Sequence, residues 1–181
     1  MSGLESYAHR AAKEVFAGWL REVASEAREY ASLGGISWRV NRGGPSWGVW
    51  LEYPIMPGPG WGGPDGCVWD ETAIPSSGED LSDSPWRHRP PTYDECIEHY
   101  GKAPRWIVDI AIQHKGTISA VVEIVHKNPP SPEKIQSLAA CTFASEVWVI
   151  PARWVLGQVK RPKRIPIDFC AADCNGIRVA A

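Results

Sequence analysis

The chain has 181 residues, 44% of them hydrophobic, which suits one domain, 1–181, with a sizeable core; no apolar run is long enough to span a bilayer. No basic segment leads into an apolar one at the start, so no secretory signal is expected, and five cysteines without a regular framework point to a reduced, cytoplasmic setting. The net charge of −2 argues against a uniformly basic chain, yet residues 1–99 hold 8 Lys+Arg against 15 Asp+Glu and residues 100–181 hold 11 against 6, so the second half is locally basic.

Residues 4–31 read as one helix. Ala8, Ala11, Ala12, Val15, Phe16, Trp19, Leu20 and Val23 follow the 3.6-residue period, and Ser2 or Ser6 can cap its start. Glu5, His9 and Lys13 are successively four apart and share a face, either solvated or turned toward a site. Gly34-Gly35 is expected to end this helix. Residues 36–40 and 47–53 read as strands around a turn at 41–45, and either can open a sheet. Residues 54–91 form a long insertion rich in proline and glycine, with Trp61, Trp69 and Trp86. Those tryptophans either stack on bases or cover a thin core, and the acidic run at 79–83 reads as solvated. Thr92 and Glu95 make a capping box for a short helix that ends near Gly101.

The stretch 106–127 carries the most chemistry. Two β-branched runs, 106–112 and 117–125, flank His114-Lys115-Gly116 and read as a β-hairpin. Each run contains one carboxylate, Asp109 and Glu123, which is costly in a buried strand unless paired or metal-bound. Opposed residues in an antiparallel pair have numbers that sum to a constant. For Asp109 to oppose Glu123 the sum must be 232, which requires an odd loop, or a shorter loop plus a bulge. A plain two-residue Lys115-Gly116 loop gives 231 and sends the carboxylates to opposite faces. In the first register the two charges repel, and a hard divalent cation, Mg²⁺ or Mn²⁺, removes the penalty.

Beyond the hairpin, Ser131 caps a helix with Pro132 at its first position, running to about residue 143; a short buried strand follows at 146–150 and a short helix at 152–159. Lys160, Arg161, Lys163 and Arg164 then open a basic tail, 160–181, that reads as phosphate-contacting or as a solvated loop. Cys170-x3-Cys174 has no nearby second pair, since Cys96 and His99 fall in a helix far along the chain. A zinc site is therefore not expected, and the cysteines read as small buried apolar residues. The sum is an α/β chain with a mixed sheet flanked by helices.

Two stretches resemble the PD-(D/E)XK nuclease superfamily, and within it the CoiA-like competence-protein nucleases. Glu5-Ser-Tyr-Ala-His9-Arg-Ala-Ala-Lys13 resembles the family's opening helix. Arg105-Trp-Ile-Val-Asp109 with Ala120-Val-Val-Glu123-Ile resembles its core of a basic residue, an Asp, a hairpin and a Glu between hydrophobics. The resemblance covers about half the chain. It implies a restriction-endonuclease-like αβββαβ core and hydrolysis of phosphodiester bonds in nucleic acid, DNA being the first choice. It also implies Mg²⁺ or Mn²⁺ held by Asp109, Glu123 and the Ile124 carbonyl, with Glu5 completing the site. The family's third position, two residues after the Glu, is usually Lys or Gln; here it is Val125. Lys127, on the same face of an ideal strand, is the first choice to replace it, with Lys115 and Lys13 as others. Lys13, Lys115 and the basic cluster are the expected nucleic-acid contacts. A membrane partner is not expected, and a homodimer is open. Two other readings remain: a nuclease-fold module that binds nucleic acid or protein without cleaving, and carboxylates paired structurally with Arg105 or Lys115.

Overall fold

A computed structural model describes residues 6–40, 48–55, 92–101, 103–114, 117–141, 146–173 and 176–177. Helix α1 spans Tyr7–Glu26, and Ser6 caps it by accepting the His9 N–H. Ala12, Phe16, Ala17, Leu20 and Ala24 form its buried stripe. The expected helix through residue 31 is too long. Ala27 is already extended, and Tyr30–Leu33 is strand β1, paired antiparallel with β2, Ile36–Arg39. Both strands alternate exposed and buried residues, a period of two that overrides their helix-compatible composition. Gly34-Gly35 is therefore a hairpin turn rather than a helix stop, with φ of 64° and 126°. A side chain at Gly34 would also collide with Ile165, whose N–H donates to the Gly34 carbonyl.

Among the described residues the main sheet has six strands in the order β3-β4-β5-β6-β7-β8. These are Val49–Ile55, Trp106–His114, Thr117–Val125, Glu146–Pro151, Cys170–Asp173 and Gly176–Ile177. All neighbours are antiparallel except β5 and β6, which run parallel across helix α3, Pro132–Cys141. Of the two candidate opening strands, β3 joins this sheet, whereas β2 stays in its own hairpin. Helix α2, Tyr93–Tyr100, has the expected capping box and ends at left-handed Gly101. Helix α4, Ala152–Leu156, follows β6 directly. The expected basic tail instead supplies β7 and β8. The insertion lies outside the described residues except at Pro54 and Ile55, which belong to β3.

Two apolar layers sandwich the sheet. Phe16 and Leu20 of α1 pack with Ile110, Ile112, Val122, Ile124 and Ile150 on one face, joined by Ile36 and Trp38 of β2. Leu138 of α3 packs with Tyr53, Val108, Val121 and Val147 on the other. Strict alternation fails on β3 and β4 at the same level. On β3, Val49 and Leu51 face α1, but Tyr53 and Ile55 face α3; on β4, Ile110 and Ile112 face α1, but Val108 and Trp106 face α3. The switch falls at Glu52 and Asp109, which lie between the paired positions Leu51↔Ile110 and Tyr53↔Val108. Glu52 has φ 52°, a left-handed conformation that a non-glycine residue adopts at a cost of roughly 1–2 kcal/mol. Among the described residues no helix is long and apolar enough to cross a membrane.

Candidate active site

The β4–β5 hairpin solves the register question by a bulge. Gln113↔Ile118 and His114↔Thr117 sum to 231, while Ile112↔Ala120, Ala111↔Val121 and Ile110↔Val122 sum to 232. Ser119 is the extra residue. The shorter loop plus bulge thus gives the 232 register, but the pairing stops at Ile110↔Val122, and the expected shared face is not formed: Asp109 turns to α1 and Glu123 to α3. The next position after Ile110 belongs to the Asp109 side chain, whose Oδ2 accepts the Ile124 N–H at 2.7 Å.

Asp109 also meets α1. His9 Nε2–H donates to Oδ2 at 3.1 Å, and Lys13 Nζ lies 3.5 Å from Oδ1. Lys13 is buried and forms a close ion pair with Glu52, which the face switch turns toward the same helix. A buried ammonium requires such partners, because an unpaired one costs several kcal/mol, about 3–5 when a pair is broken. His9 and Lys13 thus sit at the candidate site, as their shared helical face allows.

Glu123 is buried on the α3 side of β5. Lys134 Nζ donates to its Oε2 at 2.7 Å and to the Ile107 carbonyl at 3.0 Å. Oε1 is buried with no hydrogen-bond partner among the described residues. Burial pushes the Glu123 carboxyl up to about 7; the Asp109 charge adds to the rise, while Lys134 and the Asp109 main chain oppose it. A carboxylate that resists ionisation, with one oxygen unmet, is the arrangement a hard cation relieves.

The other expected site residues divide three ways. Lys127 is exposed and lies two residues beyond the end of β5, so the ideal-strand argument that gave it the face of Glu123 does not apply. Glu5 and Lys115 lie outside the described residues. Lys160, Lys163 and Arg164 are exposed, whereas Arg161 is held against α1 by Glu26 at 3.2 Å and Glu22 at 3.4 Å. Arg105 pairs with Glu133 at 3.5 Å, Glu123 pairs with Lys134, and Asp109 meets both His9 and Lys13. Cys96 and Cys170 are buried free thiols.

Glu52 and Lys134 were not legible as site residues from spacing. Glu52 did carry a signal, being the one acid inside the apolar run Val49–Ile55. Lys134 carried a weaker one, a cation in the acid-preferring first turn of a helix. Among the described residues, no group of three or more His, Cys, Asp or Glu is arranged to hold a metal. Compared with family models, curated proteins and solved structures, the chain finds no match.

Proposed function

We propose that the domain is a divalent-metal-dependent nuclease acting on nucleic acid, DNA first, in a cytoplasmic setting. The observation that carries the proposal is the pair Asp109 and Glu123 on the neighbouring antiparallel strands β4 and β5, near enough for the Asp109 charge to act on Glu123, whose Oε1 is unmet among the described residues. With the β1–β2 hairpin and α2 set aside as insertions, the order α1, β3, β4, β5, α3, β6 supports it, being the αβββαβ order of the restriction-endonuclease-like core.

Carboxylate oxygens are hard ligands of the kind that suit Mg²⁺ or Mn²⁺. Mg²⁺ keeps several waters and takes one or two carboxylates plus substrate phosphates, so a third acidic side chain is not required. Asp109 and Glu123 would hold the ion, with the Ile124 carbonyl as a further ligand by resemblance. When bound, it would supply an activated water and neutralise charge developing on the phosphate. The remaining work falls to this chain's own groups. The Ile124 N–H and His9 orient Asp109. Lys13, close to Asp109 Oδ1, brings the positive charge that Val125 lacks and can orient a water or steady a phosphate oxygen.

A second reading is a nuclease-fold module that binds without cleaving. Its support is Val125, together with an Asp109 carboxylate already engaged by Ile124, His9 and Lys13. Calorimetry with Mn²⁺ and Mg²⁺, run beside plasmid and oligonucleotide cleavage, separates the two. The wild type is expected to bind metal and cleave, and Asp109→Ala and Glu123→Ala to do neither. Metal binding without cleavage favours the second reading. No metal binding by the wild type sinks the nuclease proposal.

A further inference from the structure

Lys134 reaches Glu123 from an unfavourable place. It is the third residue of α3, after Pro132 and Glu133, and its own N–H donates to Ser131 Oγ at 3.1 Å. That is the first helical turn, where the positive end of the macrodipole disfavours a cation. The ammonium is nevertheless turned inward, its side chain only 15% exposed, and it binds two strands at once: the Ile107 carbonyl of β4 and the Glu123 carboxylate of β5. The effect on Glu123 is specific. Oε2 is taken at 2.7 Å, while Oε1 is buried and unmet among the described residues. A carboxylate gripped by one oxygen has a single oxygen left to offer, and its plane is set by the grip.

We infer that Lys134 is a positioning residue, holding Glu123 by Oε2 so that Oε1 is the one oxygen this carboxylate gives to a divalent cation. The inference rests on the metal site proposed above. Its consequence is that α3, an element outside the sequence motif, sets the geometry of a metal ligand on β5.

The test is Mn²⁺ calorimetry on the full chain for wild type, Lys134→Met and Lys134→Arg, each followed by thermal unfolding to confirm that the titrated protein is folded. Folded Lys134→Met is expected to bind Mn²⁺ about 10-fold to 100-fold more weakly, the range for loss of a group that orients a metal ligand. Lys134→Arg keeps a cation on Glu123 and is expected to recover most of the loss. Unchanged affinity in folded Lys134→Met makes the pair a structural ion pair only; the inference falls and the metal site stands. Tighter binding means that Lys134 competes for Glu123, and also overturns the inference. Absence of Mn²⁺ binding by the wild type overturns both. If Lys134→Met does not fold, Lys134→Gln, which keeps a donor without the charge, is titrated in its place.

Discussion

Glu123 keeps its proton to about pH 7, well above the ordinary glutamate value of 4.5. The sign of the stability effect follows. The folded state binds this proton more tightly than the unfolded chain, so the associated stability is fully present below about pH 4.5 and is lost as pH rises toward 7. The loss is bounded at roughly 3 kcal/mol by the size of the shift. Urea unfolding between pH 4 and 8 is expected to show this decline in the wild type and a flatter profile in Glu123→Gln. An unaltered slope in the variant would assign the pH dependence elsewhere. At this scale the sequence revealed the two carboxylates, because an acid inside a β-branched run announces itself. It did not reveal which lysine meets each one. Lys13 and Lys134 reach the site from separate helices, and that depends on packing over long chain separations, whereas Lys127 satisfied a local periodicity that ends at Val125.

Among the elements, β3 and β4 hold the site by an irregularity in both strands. Glu52 has a positive φ and an ion pair with Lys13, two contributions of opposite sign. Substitution separates them. Glu52→Ala loses the ion pair and keeps the strained backbone; Glu52→Gly loses the ion pair and relieves the strain. Glu52→Gly is therefore expected to be more stable than Glu52→Ala by about 1 kcal/mol in urea unfolding. Equal stabilities, or the usual penalty for glycine in a strand, would mean that φ at Glu52 carries no strain. The β4–β5 hairpin and the α3 start were readable because their signals are local: β-branched runs, and a serine cap followed by proline. The end of α1 was misread for the same reason. Ala31 and Leu33 suit a helix, and only pairing with Ile36 and Trp38 makes that segment a strand.

For the whole molecule, the basic segment is anchored rather than free. Arg161 is tied to Glu22 and Glu26 of α1, and the Ile165 N–H to Gly34 of the small hairpin. Lys160, Lys163 and Arg164 are exposed between and beside these anchors. If they contact phosphates, alanine at each of the three positions reduces the slope of log affinity against log salt by about 1, uniformly across oligonucleotide sequences. Gel-shift titrations at several salt concentrations measure that slope. A slope unchanged in all three variants would return the segment to a solvated loop. The two strands that follow were hidden in the sequence, since four residues and two residues are too short for a periodic signal, and their place at the sheet edge comes from the pairing of β7 with β6 and of β8 with β7.

The paired face switch at Glu52 and Asp109 has a consequence for how this protein can change over time. Two adjacent strands leave their alternation at the same level, so the register of each is matched to the irregularity of the other. Restoring regular alternation in one strand alone would send its apolar residues to the wrong layer opposite a partner that still switches. A single substitution therefore meets a barrier that a coordinated pair would not. Descendants of this chain are expected to keep both irregularities or abandon both, whatever becomes of the chemistry they frame.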